Sequence, residues 1–196
     1  MEKRKIILAS KSERRKNLLK QIGLTNFEII ESNYEEDMCL SCDYKELVKT
    51  LALNKGLDVA KNNDEAIVIS GDTIVVFEGK FLGKPKNRQD AIDTLKSYSG
   101  KELIAVSGYA VIDTKTGVTI SGYEECKIKF RNLKDEEIID YVDTQEPMDK
   151  AGSFGIMHRG AVLIESVDGD FYSIVAFPVN KIYLALKELG VNILKY

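Results

Sequence analysis

One carboxylate stands where a purely structural strand would have none. Between Ala66 and Phe77 the chain reads AIVISGDTIVVF, a β-branched and apolar run typical of a strand buried on both faces. Asp72 lies in the middle of this run. An ionised carboxylate in a dry core costs several kcal/mol unless it is paired, hydrogen-bonded or bound to a metal. Asp72 is therefore either a structural cap at a strand break or a functional group.

A second group of residues is suited to binding phosphate. The segment ASKSERRK (9–16) leads from a predicted strand into a helix N-terminus, and it places the hydroxyls of Ser10 and Ser12 beside the guanidiniums of Arg14 and Arg15. A helix N-terminus attracts anions, and arginine adds bidentate hydrogen bonds to phosphate oxygens. The alternative is an ordinary serine cap with solvated arginines.

Three further segments carry candidate groups. FLGKPKN (81–87) offers the compact cation of Lys84 in a stiff turn, although such loops are common. EPMDKAGSFGIMHRGA (146–161) is a long glycine-rich loop, and loops of that length inside a domain are often functional. The acidic pair Glu35 and Glu36 is either solvated or a source of metal ligands.

Together these groups indicate chemistry at a phosphorus atom. Asp72 with one or both of Glu35 and Glu36 could hold a hard divalent cation through oxygen ligands. Such a cation raises the acidity of water, and a nearby carboxylate can accept the proton. No nucleophilic triad, P-loop or GxGxxG pattern accompanies them.

The elements that must position these groups follow from hydrophobic periodicity and turn signals. Strands and helices alternate early and hairpins dominate later, which predicts an α/β protein with a mixed sheet. The predicted elements are strands over 5–10, 27–32 and 66–77, a turn at Glu78–Gly79, two long strands around Asp113–Gly117, a hairpin through Asp168–Gly169, and helices over 12–23, 44–61, 88–98, 135–144 and from Pro178.

Composition excludes several classes of protein. The chain has 196 residues, 44% hydrophobic and 30% charged, with a net charge of −3, so no global field favours nucleic acid or an anionic membrane. No apolar stretch approaches the roughly 20 residues of a membrane span. The N-terminal apolar run, IILA, is too short for the core of a signal peptide, so we expect a cytoplasmic protein.

The cysteines leave a further alternative open. Cys39 and Cys42 form a CxxC pair that would suit redox chemistry or half of a zinc site. A second CxxC is missing and His158 is the only histidine, so reduced loop thiols are the simpler interpretation.

Taken in order, the motifs resemble the Maf-like nucleotide pyrophosphatase family, over practically the whole chain. The matching segments are LASKSERR (8–15), SGDT (70–73), LGKP (82–85), YSGK (98–101), EPMDKAGSFGI (146–156) and VDGDFYSIVAFP (167–178).

The resemblance implies a fold and an activity. The fold would be that of the inosine-triphosphate pyrophosphatase group, an elongated mixed sheet with flanking helices and two lobes around a deep cleft, formed by a single domain over 1–196. The activity would be hydrolysis of a nucleoside triphosphate to the monophosphate and pyrophosphate with Mg²⁺ or Mn²⁺. A homodimer is also implied. The alternative is a non-catalytic nucleotide-binding regulator of septum formation, with which the family name is associated.

The resemblance also assigns residues. Asp72 matches the proton acceptor of the family's GADT motif, and it would share a metal with Glu36 (or Glu35). Thr73 and the segment after Ile156 lie where the family sets base preference. The remaining assignments are phosphate-binding residues: Ser10, Arg14, Arg15, Lys55 and Lys84.

Some positions depart from the family pattern. Ser70 and Gly71 replace the glycine and alanine before Asp72, and Leu103 replaces a histidine that members often carry. Met157 replaces the glutamine of the subgroup acting on dTTP and UTP, and a thioether is only a weak acceptor. The rest of the 146–156 loop still favours dTTP and UTP as substrates. We expect β-strand 66–77 to break at the cleft, where it would present Asp72.

Overall fold

The computed structural model describes residues 4–38 and 43–195. Helices and strands alternate through the first half, as predicted. The elements are β1 (Lys5–Leu8), α1 (Glu13–Gln21), β2 (Glu28–Ile29), α2 (Tyr44–Ala60), β3 (Ala66–Phe77), β4 (Lys80–Leu82), α3 (Arg88–Ser97), β5 (Glu102–Asp113), β6 (Thr119–Phe130), α4 (Asp135–Asp143), β7 (Ile164–Gly169), α5 (Phe171–Val175) and α6 (Val179–Glu188), with short 3₁₀ turns at Glu146–Asp149, Ala151–Ser153, Arg159–Leu163 and Ile193–Lys195.

The strands of the described residues form one seven-stranded mixed sheet. Its order is β2-β1-β3-β5-β6-β7, and the short β4 pairs with β3. β1 runs parallel to both β2 and β3, whereas β3–β4 and β6–β7 are antiparallel. The predicted α/β class with a mixed sheet and flanking helices is confirmed.

Strand β3 does not break at Asp72, so that prediction is wrong. The strand is continuous over all twelve residues, and Thr73 is its one residue that is not buried. Its polar groups are satisfied without a break: the Ser70 hydroxyl donates to the carbonyl of Ala52 at 2.6 Å, and Asp72 is ion-paired with Lys55. These partners offset the cost of burying the hydroxyl and the carboxylate, so the strand need not break to expose them.

The hairpin predicted through Asp168–Gly169 is also wrong. β7 ends at Gly169, and the chain then enters helix α5. Asp170 explains the change, because its carboxylate accepts the N–H of Tyr172 at 3.1 Å and the hydroxyl of Ser173 at 2.9 Å. A carboxylate that accepts hydrogen bonds at a helix start favours a helix over a second strand. Strand β2 is likewise shorter than the predicted 27–32.

The chain divides into two compact units. The first unit comprises Met1–Thr73, Ser107–Glu124 and Ala176–Tyr196, and the second comprises Ile74–Val106 and Glu125–Val175. A single two-lobed domain with a cleft stays a prediction. Among the described residues, no helix combines the length and apolarity needed to cross a membrane.

Each unit has its own core. In the first unit a buried cluster includes Ile7, Val68 and Ile112. In the second unit an aromatic chain runs through the core: the ring centroids of Tyr98 and Phe130 are 4.6 Å apart, and those of Phe130 and Phe154 are 5.2 Å apart. Such packing makes each unit a firm support for the loops it carries.

Candidate active site

Asp72 and Glu36 share one ammonium group in the first unit. The Nζ of Lys55 lies 2.6 Å from Oδ1 of Asp72 and 2.6 Å from Oε1 of Glu36. The side chains of Asp72 and Lys55 are only 12% and 14% exposed, whereas Glu36 is about half-exposed (48%). The charge of the Asp72 carboxylate, which is buried in β3, is therefore compensated by the Lys55 ammonium. The same ammonium also contacts the half-exposed Glu36.

A glycine in helix α2 lets Lys55 come this close. A Cβ at Gly56 would lie 2.6 Å from the Ser70 Oγ and 2.9 Å from the Cδ1 of Ile112. Because Gly56 has no side chain, the helix packs directly on β3, and the neighbouring Lys55 can reach Asp72. Ser70 and Gly56 therefore fit together as a pair, which accommodates the serine that replaces the family's glycine.

The guanidinium of Arg15 is held by three protein acceptors. It donates from Nε to the carbonyl of Ala176 at 3.2 Å, from Nη1 to the Ser10 Oγ at 3.2 Å, and from Nη2 to the Thr73 Oγ1 at 3.4 Å. Its Cζ lies 5.6 Å from the centroid of the Phe177 ring, which is cation–π distance. Arg15 is thus fixed in place at the start of helix α1.

Electrostatics links Arg15 to the two carboxylates. Burial lowers the pKa of Arg15, while the charges of Asp72 and Glu36 act to raise it. The adjacent Arg14 is exposed, and its charge lowers the pKa of Arg15 further. Arginine keeps its charge despite such shifts. The first unit therefore combines two carboxylates, an ammonium and a guanidinium in one electrostatic site.

The start of helix α1 is capped by Ser12, as predicted. Ser12 caps helix α1 by accepting the Arg15 N–H at 3.5 Å, and the Ser10 Oγ accepts the Ser12 N–H at 3.2 Å. Ser10 is thus tied to both the helix start and the Arg15 side chain.

Sequence reasoning missed Ser107. Its Oγ is fully buried on β5 and lies 2.7 Å from the Oγ1 of Thr73, which also lies 3.1 Å from the carbonyl oxygen of Ala176. Ser107 therefore completes the network that holds Thr73 and Arg15. The sequence does contain a signal for this residue. A Ser-Gly dipeptide interrupts the apolar run ELIAVSGYAVID, just as Ser70–Gly71 interrupts the apolar run of β3.

Lys84 and Met157 lie in the second unit. Both are exposed: Lys84 lies in the loop between β4 and α3, and Met157 is 49% exposed. The two segments that carry them are joined, because the N–H of Gly152 donates to the carbonyl of Gly83 at 3.0 Å.

Glu146 organises the loop that carries Met157, and it too was missed. Its carboxylate accepts the Tyr141 hydroxyl at 3.1 Å and the main-chain N–H groups of Arg159 and Gly160 at 3.0 and 3.1 Å. Burial, followed by the charge of Glu146, raises the pKa of Tyr141 well above its usual range. Tyr141 therefore stays a neutral donor, and the glycine-rich segment closes around Glu146.

The sequence of this chain matches a known protein family along most of its length. The family model described as "Maf-like protein" matches residues 5–189. The chain belongs to the Maf-like family. It is 45% identical over 190 residues to a protein of Clostridium tetani named dTTP/UTP pyrophosphatase, covering 95% of this chain and 98% of that one.

A second relative is equally complete. The Maf-like chain is 40% identical over 190 residues to a protein of Methanococcoides burtonii, also named dTTP/UTP pyrophosphatase, with 97% of each chain covered. Among solved structures, a HAM1 protein from Coxiella burnetii aligns over 96% of this chain and 97% of its own, with 12% identity and a TM-score of 0.49.

The donor set in the first unit fits a hard divalent cation. Mg²⁺ is commonly held by one or two carboxylates together with substrate phosphates and water. Asp72 and Glu36 supply two carboxylates that already converge on a single cation, the Lys55 ammonium. Among the described residues no group of three or more His, Cys, Asp or Glu side chains is positioned to hold a metal, so water or substrate phosphate oxygens would have to complete the shell.

The remaining thiol does not offer chemistry. Cys126 is buried and free, and burial raises its pKa to about 11, which keeps it protonated and unreactive. The redox or zinc interpretation of Cys39 and Cys42 lies outside the described residues.

Proposed function

We propose that this Maf-like chain is a nucleoside triphosphate pyrophosphatase. The observation that carries the proposal is the convergence of Asp72 and Glu36 on Lys55, with Arg15 electrostatically coupled to both carboxylates. That set combines anionic oxygens for a metal with cations for a polyphosphate. Two relatives of nearly full length, each named dTTP/UTP pyrophosphatase, support the same activity.

The reaction consumes one water and breaks the α–β phosphoanhydride bond. The oxygen of the water bonds to phosphorus, and the electron pair of the broken bond leaves on the departing phosphate oxygen. In the proposal Asp72 accepts the proton of the attacking water. Its place on the buried β3, in contact with the Lys55 ammonium, keeps the base carboxylate fixed. The products are a nucleoside monophosphate and pyrophosphate.

We assign the basic side chains to binding the phosphates of the substrate. Lys55 would compensate charge on Asp72 before substrate arrives and on phosphate oxygens afterwards. Arg15, whose donors are partly used by the protein, would act mainly as a fixed positive charge, whereas the exposed Arg14 is suited to direct contact. Ser10 would contribute as a hydroxyl donor, and the exposed Lys84 as a further phosphate cation.

We propose Mg²⁺ or Mn²⁺ as the cofactor. Asp72 and Glu36 would hold it, and the bound cation would supply Lewis acidity toward water and phosphate oxygens. Its arrival would require the Lys55 ammonium to release at least one of the carboxylate oxygens that it now contacts.

We favour dTTP and UTP as substrates, on the names of the relatives. The exposed Met157 lies where the family subgroup carries glutamine, and its thioether is only a weak hydrogen-bond acceptor. A main-chain group or Thr73 would therefore have to form the hydrogen bonds that distinguish the nucleotide base. The Thr73 hydroxyl is already shared among Arg15, Ser107 and Ala176, so we assign it chiefly to holding Arg15.

A nucleotide panel tests the proposal. The purified chain is incubated with each common nucleoside triphosphate and Mn²⁺ or Mg²⁺, and the products are resolved by anion-exchange chromatography. We expect monophosphate and pyrophosphate in equal amounts, fastest with dTTP and UTP, and no turnover in EDTA. Orthophosphate as the sole phosphate product would refute the reaction. Tight nucleotide binding without turnover across the panel would instead identify a non-catalytic regulator.

The assembly and location follow as lesser proposals. We propose a homodimer in the cytoplasm that acts on free nucleotides and needs no nucleic acid. Size-exclusion chromatography with light scattering checks the first point, since a particle of one chain mass would contradict it. Unchanged turnover on adding DNA or RNA would support the last.

A further inference from the structure

The chain just before Glu36 is tied to helix α2 through Asp58. Asp58 Oδ2 accepts the N–H of Asn33 at 2.7 Å and the hydroxyl of Ser32 at 3.0 Å. The Ser32 Oγ in turn accepts the N–H of Tyr34 at 3.0 Å. One carboxylate oxygen therefore fixes three consecutive residues.

A second tie comes from the same face of the helix. The Nδ2 of Asn54, one turn before Asp58, donates to the Tyr34 hydroxyl oxygen at 3.0 Å. Lys55 lies next to Asn54 and contacts Glu36 at 2.6 Å. A single stretch of helix α2 thus presents both the ammonium that Glu36 contacts and the anchor for the chain that carries Glu36.

The anchor is built to persist at neutral pH. The Asp58 side chain is only 16% exposed, and its second contact is an ion pair with Lys61. The hydrogen bond with Lys61, followed by those from Asn33 and Ser32, lowers the pKa of Asp58, so the acceptor stays ionised. Hydrogen bonds to an ionised acceptor are the stronger kind.

Among the described residues, the Glu36 side chain is held by one ion pair. It is about half-exposed and lies beyond the two-residue strand β2, and the ion pair is formed with the Lys55 ammonium at 2.6 Å. A flexible glutamate in such a place would lose side-chain and backbone entropy whenever it met a metal. If segment 32–34 is already fixed, part of this entropy is lost before the metal binds, and metal binding costs less.

We propose that Asp58 is a positioning residue for Glu36: it clamps segment 32–34 to helix α2 and so holds the Glu36 carboxylate beside Lys55 and Asp72. The inference rests on the proposed function, because it takes Glu36 as a metal ligand. Asp58 touches neither substrate nor metal in this scheme and acts through Glu36.

The test compares two substitutions that remove opposite contacts of the same carboxylate. Asp58→Ala removes the clamp, whereas Lys61→Ala removes only the outer ion pair and serves as the matched control. Amide exchange followed by NMR should show faster exchange at Asn33 and Tyr34 in Asp58→Ala. Mn²⁺ binding without nucleotide, followed by electron paramagnetic resonance, should weaken on the order of tenfold. Lys61→Ala should match the native chain in both.

A double substitution separates positioning from general damage. In a Glu36→Gln background, Asp58→Ala should weaken Mn²⁺ binding no further, because the residue through which it acts is already lost. Independent, multiplicative effects would overturn the proposal, and so would native Mn²⁺ affinity in Asp58→Ala. If Asp58→Ala does not fold, Ser32→Ala removes two hydrogen bonds of the clamp, those that the Ser32 hydroxyl donates to Asp58 and accepts from Tyr34, and is judged by the same criteria.

The outcome is separable from that of the proposed function. A native chain that binds Mn²⁺ yet hydrolyses no nucleotide would refute the pyrophosphatase activity while leaving the exchange and Mn²⁺ measurements to decide on Asp58. A native chain that binds no Mn²⁺ would overturn the Asp58 proposal directly.

Discussion

Replacing Asp72 with asparagine should abolish most turnover while leaving the fold intact. Asparagine keeps the shape of the side chain and an oxygen that can accept from Lys55, but it cannot accept a proton from water. General-base catalysis contributes roughly a hundredfold to ten-thousandfold. We therefore expect the turnover number for dTTP to fall by at least about a hundredfold in Asp72→Asn.

The cost in stability follows from the ion pair that the substitution weakens. Removing one partner of a buried pair costs about 3–5 kcal/mol when the other charge is left alone. Lys55 is not left alone, because the oxygen of Glu36 stays at 2.6 Å and the asparagine oxygen can still accept. The expected loss is nearer 1–2 kcal/mol, which a domain with about 5–15 kcal/mol of stability tolerates.

Asp113→Asn is the matched control. Asp113 is another buried aspartate of the first unit, ion-paired with the Arg4 guanidinium, and it lies outside the proposed site. The Arg4 hydrogen bond lowers its pKa to about 2 from 3.8. That shift corresponds to about 2 kcal/mol of stability at neutral pH. Asp113→Asn should therefore unfold more easily in urea yet retain native turnover per folded molecule.

The pH dependence gives the control its own signature. Because the folded pKa of Asp113 is lowered, its contribution is fully present above the unfolded pKa and is lost as pH falls through about 2. Urea titrations between about pH 2 and pH 5 should show a shallower acid loss of stability in Asp113→Asn than in the native chain. Parallel curves would contradict this assignment.

Two results would refute the reasoning about Asp72. The first is turnover in Asp72→Asn above a tenth of the native value, measured with product analysis on protein shown to be folded by circular dichroism. The second is an equal loss of turnover in Asp113→Asn, which would mean that damage to the first unit, not loss of the base, lowers the rate.

Three further outcomes are expected. Gly108→Ala should be severely destabilising, since its Cβ would lie 2.2 Å from a main-chain oxygen of helix α2, whereas Gly83→Ala, whose Cβ meets nothing within 4 Å, should melt like the native chain in a thermal scan. Ser107→Ala should loosen Thr73 and raise the KM for nucleotide severalfold with a smaller change in kcat; the opposite split would contradict a positioning role. Met157→Gln should raise kcat/KM for dTTP and UTP roughly two- to tenfold relative to the purine nucleotides, as one added hydrogen bond would; an equal gain for all bases would show that the residue does not read the base.

Local signals were sufficient for most of the first half of the chain. Helix α1 begins after its Ser12 cap and helix α2 after Asp43, and the turn at Glu78–Gly79 joins two antiparallel strands. Each of these features depends on residues within a few positions of one another, so the sequence contains the whole interaction. The error at Gly169 has the same origin, because Asp-Gly also precedes a helix when a following carboxylate caps it.

The sequence indicates which residue types the candidate site contains, but not which of their side chains contact one another. The sequence predicts that Asp72 and Glu36 share a cation and that Lys55 binds phosphate, yet nothing in their spacing shows that the Lys55 ammonium contacts both carboxylates. Ser107 lies 34 residues from its partner Thr73, and the Asp58–Asn33 contact spans 25 residues. Such contacts exist only once the sheet order and helix packing are in place.

What the sequence determined by itself is the chemistry available: a carboxylate in a strand built for burial, a basic helix start and a glycine-rich loop, in an order resembling the Maf-like family. What only the tertiary structure decided is how the buried carboxylate is tolerated. From the sequence alone, Asp72 predicts a break in β3. The strand instead runs on unbroken, because Gly56 lets helix α2 approach and Lys55 pairs with the charge, which offsets the desolvation cost that a break would have relieved.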